Sequence, residues 1–525
     1  MKVLGISGRD RDAAAALAVD GKVVSAVAEE SFARIPGIGY VQTGGFPSAA
    51  VKACLERAGL EAADVDEVVV VDDGRTKRTG NGIGPFHSVP VREVSAERAD
   101  AWHAAVTSGD ASAVLVCSAD TASIATFSRT GNDLGPRTDV AGSADLVRAA
   151  RRVAGMLGMN GADPFAAIDR LAYGGAPAFD NEFSAALSSK SSAIHADSDE
   201  LAATITRVAG VHAASLGDAG SLNARLLNTR RDIAASFVSR LAGLVNVVAE
   251  QLSDGRPLAA GGALFGNAGL NTELSRIAPD RFAISAVPEA VGRAVGAAAS
   301  AAGKSRSTTD LALGPAYSEE DVKRTLDNCR LDYVYEPDWA RLLNRVSRML
   351  AQGKIVGWFQ GPMSFGPRSL GTRSILADPS NRYARQNVNE YLRQRPVDEP
   401  LPLAFAESTV DQCLTGDGLG SGVRDVAVDQ SWQQTLASAL DTRHAARIHG
   451  DAQLLEPQLR ALLAHHFSAT GVPALIEVDL AGPGEPLACS PRDAVRTVYS
   501  SAIDALVIGR FLLMKDYWLL RSGDR

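Results

Sequence analysis

Residues 354–379 read KIVGWFQGPMSFGPRSLGTRSILADP and divide into an apolar run and a glycine-rich loop. The run from Lys354 to Phe359 is rich in β-branched and aromatic residues, which predicts a buried strand. Glycine and proline then recur too often for a long helix, so the rest of the stretch is predicted to be a loop. Arg368 and Arg373 stand in this loop beside hydroxyl side chains.

The chemistry of this loop favours an anionic ligand. A guanidinium binds a phosphate or carboxylate through two parallel N–H bonds, and glycine lets backbone N–H groups approach the same ligand. We therefore expect Arg368 and Arg373 to face one shared anion pocket. The alternative is a surface loop whose arginines pair with the neighbouring Asp378.

Length and composition indicate a globular chain with more than one domain. The 525 residues are 46% hydrophobic and 22% charged, and single cores stop growing beyond about 250–300 residues. A net charge of −8 disfavours a nucleic-acid partner, because proteins that bind the phosphate backbone carry a basic face. Five scattered cysteines, an early charge in MKVLGISGRD and no long apolar run predict a cytoplasmic protein without a membrane partner.

The N-terminal segment predicts strands in series, followed by helix–strand units. Asp20-Gly21 is a strong two-residue hairpin signal between two apolar runs. Pro47 and Ser48 open an amphipathic helix. Strands are predicted at Val3–Ile6, Leu17–Val19, Val23–Ala28 and Val65–Val71. Strands in this order resemble the opening of an actin-like (ASKHA) ATPase domain.

The phrase FGPR-x-LG-x-RSILADP after GKIVGWFQG resembles the C-terminal half of the NodU/CmcH-type O-carbamoyltransferases. In that family this half is a YrdC-like domain that handles carbamoyl phosphate and ATP. The resemblance implies an α/β protein with three parts. These are an actin-like carbamoyl-transfer domain over 1–303, a linker over 304–313 and a YrdC-like domain over 314–525.

The same resemblance implies which residues form the sites. Gly261-Gly262, for example, resembles the diglycine that contacts adenosine in actin-like ATPases. Catalytic roles are implied for Asp12, His103, Arg368 and Arg373. Contacts to the cofactor ATP or to the co-substrate carbamoyl phosphate are implied for Gly261, Gly262, Asn267, Asn271, Lys354, Ser374, Arg393, Arg395 and Arg447.

The Fe- or Mg-type metal of the family is expected to be lost from this chain. In the family, two histidines four residues apart share one helix face and ligate one ion, together with aspartates from other segments. Here His103 fits the second histidine, but Ala99 stands at the first. Ser118 and Ala290 stand where the aspartates are expected. One candidate ligand is too few for a tight site, so no metal ligands are predicted and His103 is a helix residue in the simpler interpretation.

Two functions are weighed, with a third left open. The leading hypothesis is an ATP-dependent O-carbamoyltransferase of antibiotic-type secondary metabolism, which passes a carbamoyl group through carbamoyl adenylate to the hydroxyl of a small-molecule acceptor. The alternative is a catalytically degenerate homologue that acts as a binding or partner subunit, with a homodimer or a paralogous carbamoyltransferase as the assembly. A third reading keeps an enzyme but changes its reaction. The replaced family positions that favour the alternative are Arg11, Ala99, Ser118, Ala167, Ala290 and residues 477–481, where EVDLA stands for NTSFN.

Overall fold

The computed structural model describes the chain except for residues 73–82, 110, 112, 119–122, 131–132, 160–162, 191–192, 215–221, 253–254, 303–309, 416–421, 451 and 516–525. The described residues form an N-terminal half with two similar sheets and a C-terminal half built on a longer mixed sheet.

The first sheet forms from apolar strands joined by a tight hairpin. Its elements are β1 (Lys2–Ser7), β2 (Ala14–Val19), β3 (Lys22–Ala28), α1 (Glu30–Ala33), α2 (Ser48–Ala58), β4 (Glu67–Asp72) and β5 (Val91–Ser95). Across the described strands the order is β3-β2-β1-β4-β5, with β1 to β3 antiparallel and β4 and β5 parallel to β1. Asp20 and Gly21 both have positive φ, which confirms the predicted hairpin turn.

The second sheet repeats the topology of the first. The elements that follow are α3 (Ala96–Thr107), β6 (Ala113–Ser118), β7 (Ser123–Thr130), β8 (Asp133–Asp139), α4 (Ser143–Met156), α5 (Pro164–Ala172), α6 (Asp180–Phe183), β9 (Leu187–Lys190), β10 (Ala193–Ala196), α7 (Ser198–Ala214), α8 (Leu222–Leu252), β11 (Leu258–Gly261), α9 (Ala268–Ile277), β12 (Phe282–Ile284) and α10 (Arg293–Ala301). As far as the structure describes them, β6 to β8 are antiparallel and β11 and β12 run parallel to β6, in the order β12-β11-β6-β7-β8. This duplicated sheet is the actin-like topology, so the predicted fold class of the N-terminal half is confirmed.

Helices α3 and α10 lie between the two sheets and are packed unusually closely. The reason is the small size of the residues at their contact. A Cβ built on Gly296 of α10 would lie 1.8 Å from the carbonyl oxygen of Ala99 on α3, and one on Gly5 of β1 would lie 2.1 Å from that of Ala294. Alanine and glycine here let helix and strand backbones approach to a distance that larger side chains would prevent.

Apolar residues at helical spacing from Ile233 to Leu252 predict a helix over 232–252. Helix α8 ends there but begins ten residues earlier, at Leu222. Its stretch Leu227–Leu252 is the one described helix long and apolar enough to cross a membrane by length and composition. However, 61% of that window is buried inside the protein, where α8 packs against α5 and α9. The helix is therefore part of the core of the N-terminal half.

The C-terminal half is a mixed α/β domain, as expected. Its elements are α11 (Glu319–Asn328), β13 (Val334–Tyr335), α12 (Trp339–Ala351), β14 (Val356–Phe359), β15 (Arg373–Ala377), α13 (Ala384–Gln386), β16 (Leu403–Phe405), α14 (Val410–Cys413), β17 (Leu414–Thr415), β18 (Arg424–Val428), β19 (Ala445–Ile448), α15 (Pro457–Thr470), β20 (Ala474–Asp479), α16 (Pro491–Tyr499), β21 (Ala505–Ile508) and β22 (Phe511–Met514). Over the described ranges, the main sheet has the order β13-β22-β21-β14-β15-β20-β16 and a smaller sheet the order β17-β18-β19.

One sequence-based boundary in this half is corrected. Residues 361–379 were predicted to be loop, but Arg373 begins strand β15 and pairs with Phe359 of β14. The cause is the apolar run Ile375–Ala377, which is buried between β14 and β20. The glycine-rich loop proper therefore ends at Thr372.

The structure describes only part of the predicted linker. Residues 304–309 lie outside the described residues, while 310–313 are held by backbone bonds to both halves. Leu313 accepts a hydrogen bond from Ala26 (3.0 Å), and Leu311 accepts one from Phe365 (2.7 Å). The domain limits at 303 and 314 stay predictions.

Candidate anion site between the two halves

The glycine-rich loop packs directly against the N-terminal half. Arg368 donates to the carbonyl oxygen of Ala286 (2.9 Å) and to Oε1 of Glu289 (2.9 Å). Gly366 has φ +106°, and a Cβ there would lie 2.9 Å from Val287. The loop therefore needs glycine at this position, both for its backbone conformation and for its close approach to the other half.

Arg373 does not face the same space as Arg368, so the expectation of one shared pocket for the pair is wrong. Its side chain is fully buried, with the guanidinium 3.5 Å from the centroid of the Phe359 ring. The guanidinium donates to the backbone carbonyls of Gln360 (2.9 Å), Gly361 (3.1 Å) and Thr372 (2.7 Å). Burial lowers the pKa of Arg373 to about 10. These contacts assign Arg373 to holding the loop in place.

Other predicted arginines do converge, in a cavity between the halves that we call the seam cleft. The cleft encloses about 300 Å³. Its lining residues are Ala166, Asp169, Arg170, Gly266, Ala268, Pro367, Arg368, Arg393, Glu399, Pro400, Pro402, Val423, Arg447, His449, Val478 and Asp479. Of the predicted site residues, Arg368, Arg393 and Arg447 meet here.

Each of these three arginines is fixed by neighbours. Arg393 follows a π-helix over Asn387–Leu392, a rare element that recurs at functional sites. It donates to Oδ1 of Asn389 (3.0 Å) and lies 3.6 Å from Glu399. Arg447 makes a bidentate pair with Asp425, at 2.7 and 2.8 Å. Their orientation is therefore set before any ligand arrives, which lowers the cost of binding one.

The electrostatic field of the cleft favours negative charge near His449. Burial, and then Arg368, Arg447 and Arg393, hold the pKa of His449 well below its usual value. Burial also lowers the pKa of Arg393, helped by the neighbouring Arg395. Burial alone would disfavour any charge here, but the part of the shift that comes from the three arginines reflects a positive field, which stabilises an anion at the same place.

A second cavity of about 280 Å³, which we call the loop cavity, adjoins the seam cleft. Pro367, Arg393 and Asp479 line both cavities, so these three residues form their common wall. Arg395 lines the loop cavity and pairs with Glu399 at 2.5 Å. The rest of the loop-cavity lining is Val27, Ala28, Glu30, Ser31, Pro36, Met363–Gly366 and 481–487.

Asp479 and His449 were not among the predicted site residues. The signal for Asp479 was present, because Glu477 and Asp479 are acids at alternate positions of a buried strand and therefore share a face of β20. Glu477 is sealed inside: its Oε1 accepts from Ser369 and Ser374, both at 2.5 Å. The predicted Ser374 thus bonds to an acid and not to an open cavity.

Lys354 and Asp12 lie away from the seam cleft. Lys354 donates to Asp504 (3.0 Å) at the start of β14, and it lines neither cavity. Asp12 has a positive φ of 56°, and its N–H donates to the carbonyl of Gly37 (3.2 Å). Burial, together with the nearby Asp12, raises the pKa of Glu30, which lines the loop cavity.

The predicted nucleotide contacts in the N-terminal half have packing roles. A Cβ on Gly261 would lie 2.8 Å from Ala104, and Gly262 has φ +91°. Asn267 donates to the carbonyl of Leu264 at 3.0 Å. Asn271 donates to Phe265 and to Val423 of the other half, both at 2.8 Å. Contact with ATP stays a prediction for these four residues.

The residues present do not fit the metal that the family implies. Among the described residues, no group of three or more His, Cys, Asp or Glu side chains could hold an ion. Ala99 is fully buried beneath Gly296, which leaves no room for a histidine. His103 is buried and 3.3 Å from Ser285, and burial lowers its pKa to about 4.

A buried guanidinium forms an ion pair with an acid on the helix that carries His103. Arg293 at the start of α10 donates to both carboxylate oxygens of Asp100 on α3, each at 3.0 Å. Ser118 donates to the same carboxylate at 2.8 Å. The fixed guanidinium would repel a metal cation, and the carboxylate that it binds is not free to serve as a metal ligand.

A family model and several curated relatives each match a part of the chain. The family model described as "Carbamoyltransferase C-terminus" matches residues 347–515. The 3'-hydroxymethylcephem-O-carbamoyltransferase of Amycolatopsis lactamdurans is 27% identical over 201 residues, 36% of each chain. Nodulation protein NolO of Bradyrhizobium diazoefficiens is 28% identical over 173 residues, 32% of this chain and 31% of its own. The chain spans less than two fifths of the length of these curated relatives.

Among solved structures, component A of (R)-2-hydroxyglutaryl-CoA dehydratase from Acidaminococcus fermentans covers 58% of this chain and 99% of its own. Its TM-score is 0.37 at 18% identity. A putative N-acetylglucosamine kinase from Chromobacterium violaceum covers 56% and 98%, with a TM-score of 0.30 at 13% identity. The fold assignment rests on the strand order of the two N-terminal sheets.

Proposed function

We propose that this chain binds carbamoyl phosphate in the seam cleft and serves as an ATP-dependent O-carbamoyltransferase. The match of residues 347–515 to the carbamoyltransferase family model supports this proposal, as a member of the NodU/CmcH-type family. The observation that carries the proposal is the convergence of Arg368, Arg393 and Arg447 on one cleft. After burial, these three arginines are the next causes that hold the pKa of His449 well below its usual value. Guanidinium groups that converge in this way stabilise phosphate oxygens.

The reaction implied by the family has three balanced steps. Water cleaves carbamoyl phosphate to carbamate and phosphate. A carbamate oxygen then attacks the α-phosphorus of ATP, and pyrophosphate leaves carbamoyl adenylate behind. The hydroxyl oxygen of a small-molecule acceptor attacks the carbamoyl carbon, AMP leaves, and the hydroxyl proton passes to solvent or a base. In this scheme, Arg368 and Arg393 offset the charge on the phosphates.

A cytoplasmic setting and an antibiotic-type acceptor belong to the same proposal. The cysteines of the described residues are free thiols, in keeping with a reducing compartment. A homodimer or a paralogous carbamoyltransferase is the proposed assembly.

A second candidate is a binding or partner subunit without catalysis. It is favoured by the Arg293–Asp100 pair, whose carboxylate also accepts from Ser118, a position where the family implies a metal ligand, and by the burial of Arg373 against backbone carbonyls. Fold alone does not preserve chemistry when the residues of a site are replaced.

One pair of variants tests whether the seam cleft is the binding site. Arg393→Met removes a guanidinium from the seam cleft, and Arg395→Met removes its neighbour, which lines the loop cavity instead. We expect Arg393→Met to weaken binding of carbamoyl phosphate about tenfold or more in calorimetric titration, and Arg395→Met by less than about threefold.

Pyrophosphate release from ATP then decides between activity and binding alone. Release that requires carbamoyl phosphate and disappears in Arg393→Met supports the transferase. Binding without release under any condition supports the partner subunit. Equal binding in the parent, Arg393→Met and Arg395→Met would contradict both, because the seam cleft would then not be the site.

A further inference from the structure

Asp479 is an unexpected neighbour for a site that binds phosphate. It ends strand β20 and lies on the wall that the seam cleft and the loop cavity share. Its Oδ1 accepts the backbone N–H of Ser369 at 3.0 Å, and the residue is only partly buried, with its open side towards the two cavities. A carboxylate beside phosphate oxygens repels them, so it weakens anion binding unless it accepts a donor from the ligand.

The other acid on this face of the strand cannot take such a donor. Oε1 of Glu477 already accepts from Ser369, Ser374 and the N–H of Gly371 (3.1 Å), and the side chain is buried. Of these two acids of β20, Asp479 is therefore the one that lines the cleft and that a ligand there can reach. Arg393 lies on the same wall, so the cleft offers a cation and a hydrogen-bond acceptor side by side.

Resting on the proposed function, we propose that Asp479 determines specificity by accepting a hydrogen bond from the –NH₂ group of carbamoyl phosphate, while Arg393 and Arg368 hold its phosphate. The ligand carries an anionic end and an N–H donor end separated by one carbon, which matches a cation and a carboxylate on one wall. Acetyl phosphate has the same shape but a methyl group in place of the –NH₂. With acetyl phosphate, the carboxylate would face a methyl group, which cannot donate a hydrogen bond.

The dissociation constants of carbamoyl phosphate and acetyl phosphate test this role. They are measured at low temperature with freshly prepared ligands, for the full chain and its variants. For the parent we expect acetyl phosphate to bind about tenfold to a hundredfold more weakly than carbamoyl phosphate. In Asp479→Leu the two constants should become nearly equal. Asp479→Asn, which keeps the size and one acceptor oxygen but loses the charge, should reduce the ratio at least several-fold.

Glu399→Gln is the matched control, since Glu399 also lines the seam cleft but pairs with Arg395. It should change both constants by the same factor and leave their ratio as in the parent. Circular dichroism checks that each variant folds, and Asp479→Asn keeps the test decisive if Asp479→Leu does not.

Three results would overturn the assignment. The first is a parent chain that binds the two ligands equally. The second is Asp479 variants that bind both more tightly at an unchanged ratio, which would make Asp479 only a source of repulsion. The third is a parent that binds neither ligand, with Arg393→Met no different. Only this third result would also contradict the proposed function.

Discussion

At the scale of single residues, a buried charge takes the role that its nearest partners allow. The guanidinium of Arg373 lies over an aromatic ring, and both of its terminal nitrogens already donate to backbone carbonyls. Arg393 directly follows the π-helix that ends at Leu392, and its side chain donates to an amide oxygen and lies near a carboxylate. The second arrangement leaves a cation that a phosphate can still stabilise.

His103 gives the residue-scale prediction. Burial lowers its pKa to about 4, so it is neutral in the folded protein, whereas it would protonate near pH 6.5 in the unfolded chain. Above pH 6.5 the imidazole is neutral in both states, so this pKa difference does not change the free energy of unfolding with pH. Between pH 6.5 and 4 only the unfolded chain binds the proton, so the free energy of unfolding should fall as the pH drops through this range. We expect a loss on the order of 3 kcal/mol over this range, measured by urea unfolding.

His103→Asn should flatten this dependence, because the group that titrates differently in the two states is gone. His444→Asn is the control, at an exposed position with φ +60° that asparagine tolerates. If His103→Asn kept the parent's slope, His103 would not be the buried neutral imidazole described above.

The sequence shows which residues are arginines or acids but not which way their side chains face. Arg368, Arg393 and Arg447 were predicted as site residues and do meet in one cleft. Arg373 was predicted to face the same pocket as Arg368, but its side chain is buried in the C-terminal half. The reason is that the apolar residues after it form strand β15, which begins at Arg373. Asp479 was missed, since an acid at a strand end is usually solvated, and its place between two cavities depends on the other half of the chain.

At the scale of elements, helices α3 and α10 are joined by a buried ion pair across a contact of small residues. Asp100 and Arg293 lie between the two sheets and are almost fully buried. Removing one partner of such a pair leaves a charge without compensation, whereas removing both can be nearly neutral.

We therefore expect Asp100→Asn and Arg293→Met each to lower the free energy of unfolding by about 3–5 kcal/mol. The double variant should lose clearly less than the sum of the two single losses, as measured by urea unfolding. Arg324→Met, in an exposed pair with Asp321, is the control and should cost less than about 1 kcal/mol. Strictly additive losses would show that the two side chains act independently.

Element boundaries followed from local chemistry wherever a cap or a turn marked them. Leu342, Val346 and Leu350 fall on one helical stripe in the sequence and predict a helix over 339–351, which are the bounds of α12. Ser490-Pro491 predicts a helix start, and Ser490 does cap α16 by accepting from the N–H of Asp493 (3.2 Å). The start of β15 was missed because a glycine-rich loop and an edge of a strand have similar composition. What decides between them is pairing with β14 and β20, which lies outside the local sequence.

At the scale of the whole molecule, the two halves are joined by polar contacts around the seam cleft. Arg34 of the N-terminal half donates to the carbonyl of Leu487 at 2.6 Å, and Asn271 donates to that of Val423 at 2.8 Å. The cleft exists only while these contacts hold the halves together. Its lining comes from both halves, so no motif of either half could have predicted it alone.

Gly366 offers the sharpest test of this dependence. Alanine there would be strained at φ +106°, and its Cβ would lie 2.9 Å from Val287 of the other half. We expect Gly366→Ala to move the loop away from the N-terminal half, displace Arg368 and weaken carbamoyl phosphate binding about tenfold in calorimetric titration.

Gly471→Ala separates backbone strain from the clash at the seam. Gly471 has φ +76° at the end of α15, but open space surrounds the position where a Cβ would stand. Both variants should lose about 1 kcal/mol or more of stability from the strained backbone, yet only Gly366→Ala should lose ligand binding. If both bound carbamoyl phosphate as the parent does, the fit of the loop against the N-terminal half would not shape the site, and the ligand would have to bind within the C-terminal half.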